Sequence, residues 1–107
     1  MTAVDPVPLE ARLRDIQSIT DAALSRLDRK MRHFEPDALA TVLYAVIDTA
    51  HEQMRVCLAG HLAPVIARPG LPAEPVRAAA GLMVGVGDTT RRPVTTVTIP
   101  PGALLCF

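Results

Sequence analysis

The sequence predicts an α+β fold in which one N-terminal amphipathic helix packs on an antiparallel sheet of about five strands. Three observations carry this expectation. From Leu9 the apolar residues recur at helical spacing, after Pro36 the pattern turns extended, and the second half is punctuated by prolines and glycines as in strand-and-turn chains. The 107 residues leave room for one domain. Half of them are hydrophobic and mean hydropathy is +0.28, which is enough apolar material for a core.

Residues 1–7 read as a tail that leads through Pro6 and Pro8 into a helix start, where proline is tolerated because the first N–H groups have no partner. Leu9, Leu13, Ile16, Ala23, Leu27, Met31 and Phe34 follow at steps of three, four or seven, with Thr20 in the intermediate position. Arg12, Arg14, Asp15, Asp21, Asp28 and Arg29 fall mostly elsewhere, so the helix is expected to turn its apolar stripe to the sheet and its charges to water. Pro36 disfavours helical geometry at Glu35 and should end the helix near His33-Phe34. Arg29, Lys30 and Arg32 suit the negative end of its dipole.

Ala40 to Ile47 is a continuous apolar, β-branched run, expected as a central strand buried on both faces. Gln53 to Leu58 alternates, with Met54, Val56 and Leu58 on one face and Gln53, Arg55 and Cys57 on the other. The short polar link from Asp48 to Glu52 makes the two an antiparallel hairpin. Pro64 to Ala67 is a third extended piece. Residues 68–88 read as loop, with one helical turn around Val76 to Ala80, because Pro69, Gly70, Pro72, Pro75, Gly81, Gly85 and Gly87 crowd into it. Val94–Ile99 and Ala103–Phe107 are the last strands, joined by the tight turn Pro100-Pro101-Gly102. A chain that stops on Leu-Leu-Cys-Phe ends in an unfinished strand and is expected to be part of a longer domain.

Eleven basic residues balance eleven acidic ones, so no long-range field draws the molecule to nucleic acid or to an anionic membrane. One Tyr, two Phe and no Trp give no stacking platform for bases. No apolar run approaches the roughly 20 residues of a spanning helix, and the N-terminus has no leader pattern, so a cytoplasmic protein is expected. Cys57 and Cys106 each lie in apolar surroundings and are expected as free structural thiols.

Four constellations invite a chemical reading, and each has a simpler one. Asp48, His51 and Glu52 could contribute to a metal site, yet a polar hairpin tip needs the same residues. Cys57 and His61 are two potential ligands interrupted by Gly60, which does not complete a zinc site. Gly85-Val86-Gly87-Asp88 holds two glycines of a dinucleotide fingerprint without its strand-turn-helix context and reads as loop. Arg26, Arg29, Lys30, Arg32 and His33 could touch phosphate, but the interleaved Asp28 and Glu35 make them a solvated helix end. No paired nucleophile and base and no phosphate loop is present.

The ordered run of motifs from Leu24 onwards nevertheless resembles a known family. Leu24-Ser25-Arg26-Leu27-Asp28-Arg29-Lys30-Met31, then Ala40-Thr41-Val42-Leu43-Tyr44-Ala45-Val46-Ile47-Asp48, is similar to a helix-strand stretch of bacterial PPM-type protein serine phosphatases of the sporulation stage II protein E and sigma-regulator class. Ala59-Gly60-His61-Leu62-Ala63-Pro64 resembles that family's Ala-Gly-His-Pro-Pro-Pro corner, with Leu62 and Ala63 in place of two prolines. Gly81 to Gly87 is similar to its glycine-rich loop and Pro100 to Phe107 to its Pro-Pro-Gly strand.

The resemblance covers about residues 24–107 and implies part of a four-layer helix-sheet-sheet-helix sandwich, with residues 8–107 as a partial phosphatase domain truncated at both ends. It also implies dephosphorylation of a serine on a sigma-regulatory phosphoprotein, of the anti-sigma antagonist type, with Mg²⁺ or Mn²⁺ ions activating the attacking water. The aspartate motifs that hold those ions in the family are missing from the sequence. No metal is therefore expected on this chain, and activity is not expected of it alone. Gly60 and His61 are the only positions that carry over, as site-lining residues, and the resemblance does not make His61 a metal ligand. The competing expectation is a non-catalytic helix-and-sheet interaction module, and in either case self-association is expected of a sheet with unpaired edges.

Overall fold

A computed structural model of the chain describes residues 9–86 and 91–107, the side chains of residues 9–14 excepted. The expected tail, and Gly87 and Asp88 of the glycine loop, lie outside the described residues. The elements are α1 (Leu9–Phe34), β1 (Val42–Asp48), β2 (Gln53–Ala59), β3 (Val65–Ala67), β4 (Glu74–Pro75), β5 (Ala80–Gly81), β6 (Val94–Thr98) and β7 (Leu104–Cys106). Helix α1 ends where Pro36 requires, and Glu35 N–H closes its last turn on Met31 O at 2.7 Å.

The strands make two sheets. In the first, β2 is the centre, paired antiparallel with β1 on one side and with β6 on the other, with the short β5 joining it in parallel. In the second, β3 lies between β4 and β7, antiparallel to both. Met54, Val56 and Leu58 point from β2 towards the second sheet and pack with Ile66 and Val76. Cys57 and Ala59 point the other way, to Leu24 of α1 and to Val84. The alternation read from the sequence is thus correct by face, and both faces of β2 are covered. Helix, four-stranded sheet and three-stranded sheet form three successive layers.

Four expectations are corrected. The run from Ala40 to Ile47 is not the central buried strand: β1 has one strand neighbour, stays half-buried, and leaves Ile47 exposed. The central place belongs to β2, which is covered on both faces although Gln53 and Arg55 alternate with its apolar residues. No helical turn forms at Val76 to Ala80. Backbone bonds from Val76 to Pro64 O at 2.8 Å and from Ala79 to Thr95 Oγ1 at 3.0 Å hold this stretch extended along its neighbours.

The fourth correction concerns the helix. Among its described side chains the buried ones are Thr20, Leu24 and Asp28, while Ala23 is exposed, Leu27 is 38% exposed and Phe34 72%. Polar bonds set this rotation. Gln17 donates from Nε2 to Arg92 O at 2.7 Å and accepts at Oε1 from Val94 N–H at 2.9 Å, so this side must face the start of β6. The apolar stripe through Ala23 and Leu27 is left at the flank of the contact and towards water.

Candidate functional site

Three segments meet where β2 runs out: the approach to β1, the Gly60-His61 corner, and loop 81–85. Ala40 and Val84 exchange backbone hydrogen bonds at 3.0 and 2.8 Å, and Gly60 N–H donates to Gly81 O at 2.8 Å. Gly60 has φ +71°, and a Cβ on it would lie 2.5 Å from Met83 Cβ, so only glycine lets the corner and the loop approach this closely. His61 follows, half-buried, with Nδ1 sharing a 3.2 Å hydrogen bond with Thr41 Oγ1. The corner therefore presents one imidazole oriented by a neutral hydroxyl. That suffices to position a polar group or pass a proton, and is short of a nucleophile-base pair.

The loop facing this corner is held by a buried ion pair. Arg92 Nη2 lies 3.0 Å from Asp28 Oδ2, and the same guanidinium donates from Nε to Leu82 O at 2.6 Å and from Nη2 to Met83 O at 3.1 Å. Asp28 Oδ1 accepts Gly85 N–H at 2.8 Å. One carboxylate and one guanidinium thus tie the second half of α1 to the backbone of residues 82–85. Helical spacing alone puts Asp28 on the charged, water-facing side, and nothing in the local pattern marks Arg92. The signal in the sequence is the four-residue step Thr20, Leu24, Asp28.

The other constellations resolve into structure. At the hairpin tip, His51 Nδ1 lies 2.8 Å from Asp48 Oδ2 and His51 N–H donates to Asp48 Oδ1 at 3.2 Å, an arrangement that closes the turn. The side-chain bond to His51 holds the Asp48 carboxyl below the ordinary aspartate value, against a smaller opposing effect of desolvation. This tip stands at the start of β2 and the Gly60-His61 corner at its end. Burial pushes the Cys57 thiol up, and its neighbours are Leu24, Ala59 and Val84 rather than ligands. Arg26, Arg29, Lys30, Arg32 and His33 are all exposed. Among the described residues, no three His, Cys, Asp or Glu side chains gather as a metal ion requires, and no helix is long and apolar enough to cross a membrane.

The chain thus sets a long helix on two face-packed sheets, with a glycine-histidine corner beside a glycine loop. The model of the family described as stage II sporulation protein E (SpoIIE) matches residues 9–107, and the chain belongs to that family. Neither curated proteins nor solved structures give a match.

Proposed function

We propose that the chain is the scaffold portion of a metal-dependent protein serine/threonine phosphatase domain acting on phosphoproteins that regulate sigma factors, and that these 107 residues by themselves hydrolyse no phosphoserine. The observation that carries this reading is the SpoIIE match over residues 9–107 in a chain without the family's aspartate motifs. The described carboxylates do not fit a pair of Mg²⁺ or Mn²⁺ ions, which need several of them within a few ångströms. Asp28 is taken by Arg92 and Gly85, Asp48 by His51, and Glu74 by Arg68 at 2.8 Å. Asp21 accepts from Gln17 on the helix flank. Gly60 and His61 line the phosphoprotein-facing side in this reading, without touching a metal.

The test is a phosphoserine-peptide assay in millimolar Mn²⁺ together with calorimetric titration of the ion. No turnover and no binding tighter than about millimolar are expected. Mn²⁺-dependent turnover that disappears in Asp48→Asn would overturn the proposal. A second reading, a non-catalytic interaction module, draws on the exposed apolar flank of α1, where Ile19, Leu27 and Phe34 meet water. It predicts a partner whose binding Leu27→Lys abolishes while the fold persists.

A further inference from the structure

Arg55 is an anomaly of the central strand. It is 2% exposed, and its Nε and Nη2 atoms have neither a hydrogen-bond partner nor contact with bulk water. Alternation along β2 puts it on the side that faces the helix, between Val46 of β1 and Thr96 of β6. The Nε–H and Nη2–H groups project from one edge of the guanidinium, the edge that takes two oxygens of a single carboxylate or phosphate. A cation buried with this edge unused is costly, and buried polar groups are almost always paired.

Arg55 also borders a cavity of about 450 Å³ between the first half of α1 and the end of the β1–β2 hairpin, lined in addition by Asp15, Ile16, Val46, Asp48 and Thr49. The carboxylates in this wall do not neutralise it. Asp48 is engaged by His51, and Asp15 is exposed and bonds neither Nε nor Nη2 of Arg55. The cavity has room for a small oxyanion, and Thr49, which also lines it, carries a hydroxyl able to donate.

We propose that this cavity is an oxyanion site, in which Arg55 holds the carboxylate or phosphate group of a small solute through Nε–H and Nη2–H. It lies about 17 Å along β2 from the Gly60-His61 corner, by the rise of an extended strand. It does not depend on the phosphatase reading.

The experiment compares melts of the full chain in sodium chloride, sodium acetate and sodium phosphate at equal ionic strength and pH. An anion present at ten times its dissociation constant should raise Tm by about 5 °C. Chloride should not, and Arg55→Met should remove the rise. Acetate acting alone assigns a carboxylate ligand and phosphate acting alone assigns a phosphate, and either result supports the site. The Asp15→Asn chain should bind the anion more tightly, because a carboxylate in the wall opposes it. In parallel, the Arg55 Nε resonance of the unaltered chain is followed by NMR, which decides the matter even where Arg55→Met does not fold. Movement with acetate or phosphate but not with chloride supports the proposal. An unmoved resonance, equal melting in the three salts, or an anion response that survives in Arg55→Met overturns it.

Discussion

Asp28 and Arg92 are 1% and 3% exposed, and each is engaged by the other and by the backbone of residues 82–85. Removing one partner of such a pair leaves the other charge buried and unmatched. Asp28→Ala is therefore expected to destabilise by about 3–5 kcal/mol in urea melts, and Arg92→Met by a similar amount. The double change Asp28→Leu with Arg92→Met should cost clearly less than the sum, because it strands no charge. The thiols make a second contrast: Cys106 is exposed and should react with a thiol reagent at once, whereas Cys57, buried and with its thiol pKa raised, should react only as the chain unfolds. At the tip, the folded Asp48 pKa is depressed. Its contribution to stability is complete above the ordinary aspartate value of about 3.9 and is lost as pH falls through the lower folded value. An NMR titration should find that carboxyl below the ordinary value, and Asp48→Asn should flatten the acid limb of the stability curve.

Helix α1 separates what its sequence encodes locally from what it does not. Its bounds follow from helical spacing and from Pro36, both local features, and the observed Leu9–Phe34 matches the expected span. Its facing depends on Gln17 meeting Arg92 and Val94, more than seventy positions away, and an apolar stripe has no means of reporting that. Among the described side chains, the expected stripe and the observed face overlap at Ile16, Thr20 and Met31. Stability should follow the observed face: Leu24→Ala is expected to cost about 2–4 kcal/mol, and Leu27→Asp, at a position that already meets solvent, under about 1 kcal/mol by chemical denaturation. The strands divide the same way. The β1–β2 hairpin is set by a short polar link and was legible, while the two-residue β4 and β5 exist only through their partners and show no period of their own. The Gly60-His61 corner was legible as a motif. The ion pair that fixes the loop opposite it was not, because a charged residue four positions after a leucine reads as surface until its counter-charge is located.

At the scale of the whole molecule, the three layers bury β2 from Met54 to Ala59 and leave other surfaces uncovered. The side of β1 away from β2 has no strand partner among the described residues, and β7 pairs only with β3. Ile47 is 49% exposed near the first edge and Leu104 70% on the second, while Ile19 and Phe34 stand out from the helix. Unpaired backbone next to exposed apolar side chains is a template for another strand, and nothing in the net charge of zero opposes approach of a second copy. Light scattering is therefore expected to give a mass that rises with concentration beyond the monomer. The contributing surface is separable: a lysine at the β1 edge, Ile47→Lys, disfavours strand addition without touching the helix, and Leu27→Lys does the converse. If edge pairing drives association, Ile47→Lys returns the chain to monomer and Leu27→Lys leaves the larger species in place. A monomeric mass for the unaltered chain across a wide concentration range would show instead that the twist and shortness of these edges already suffice to keep copies apart.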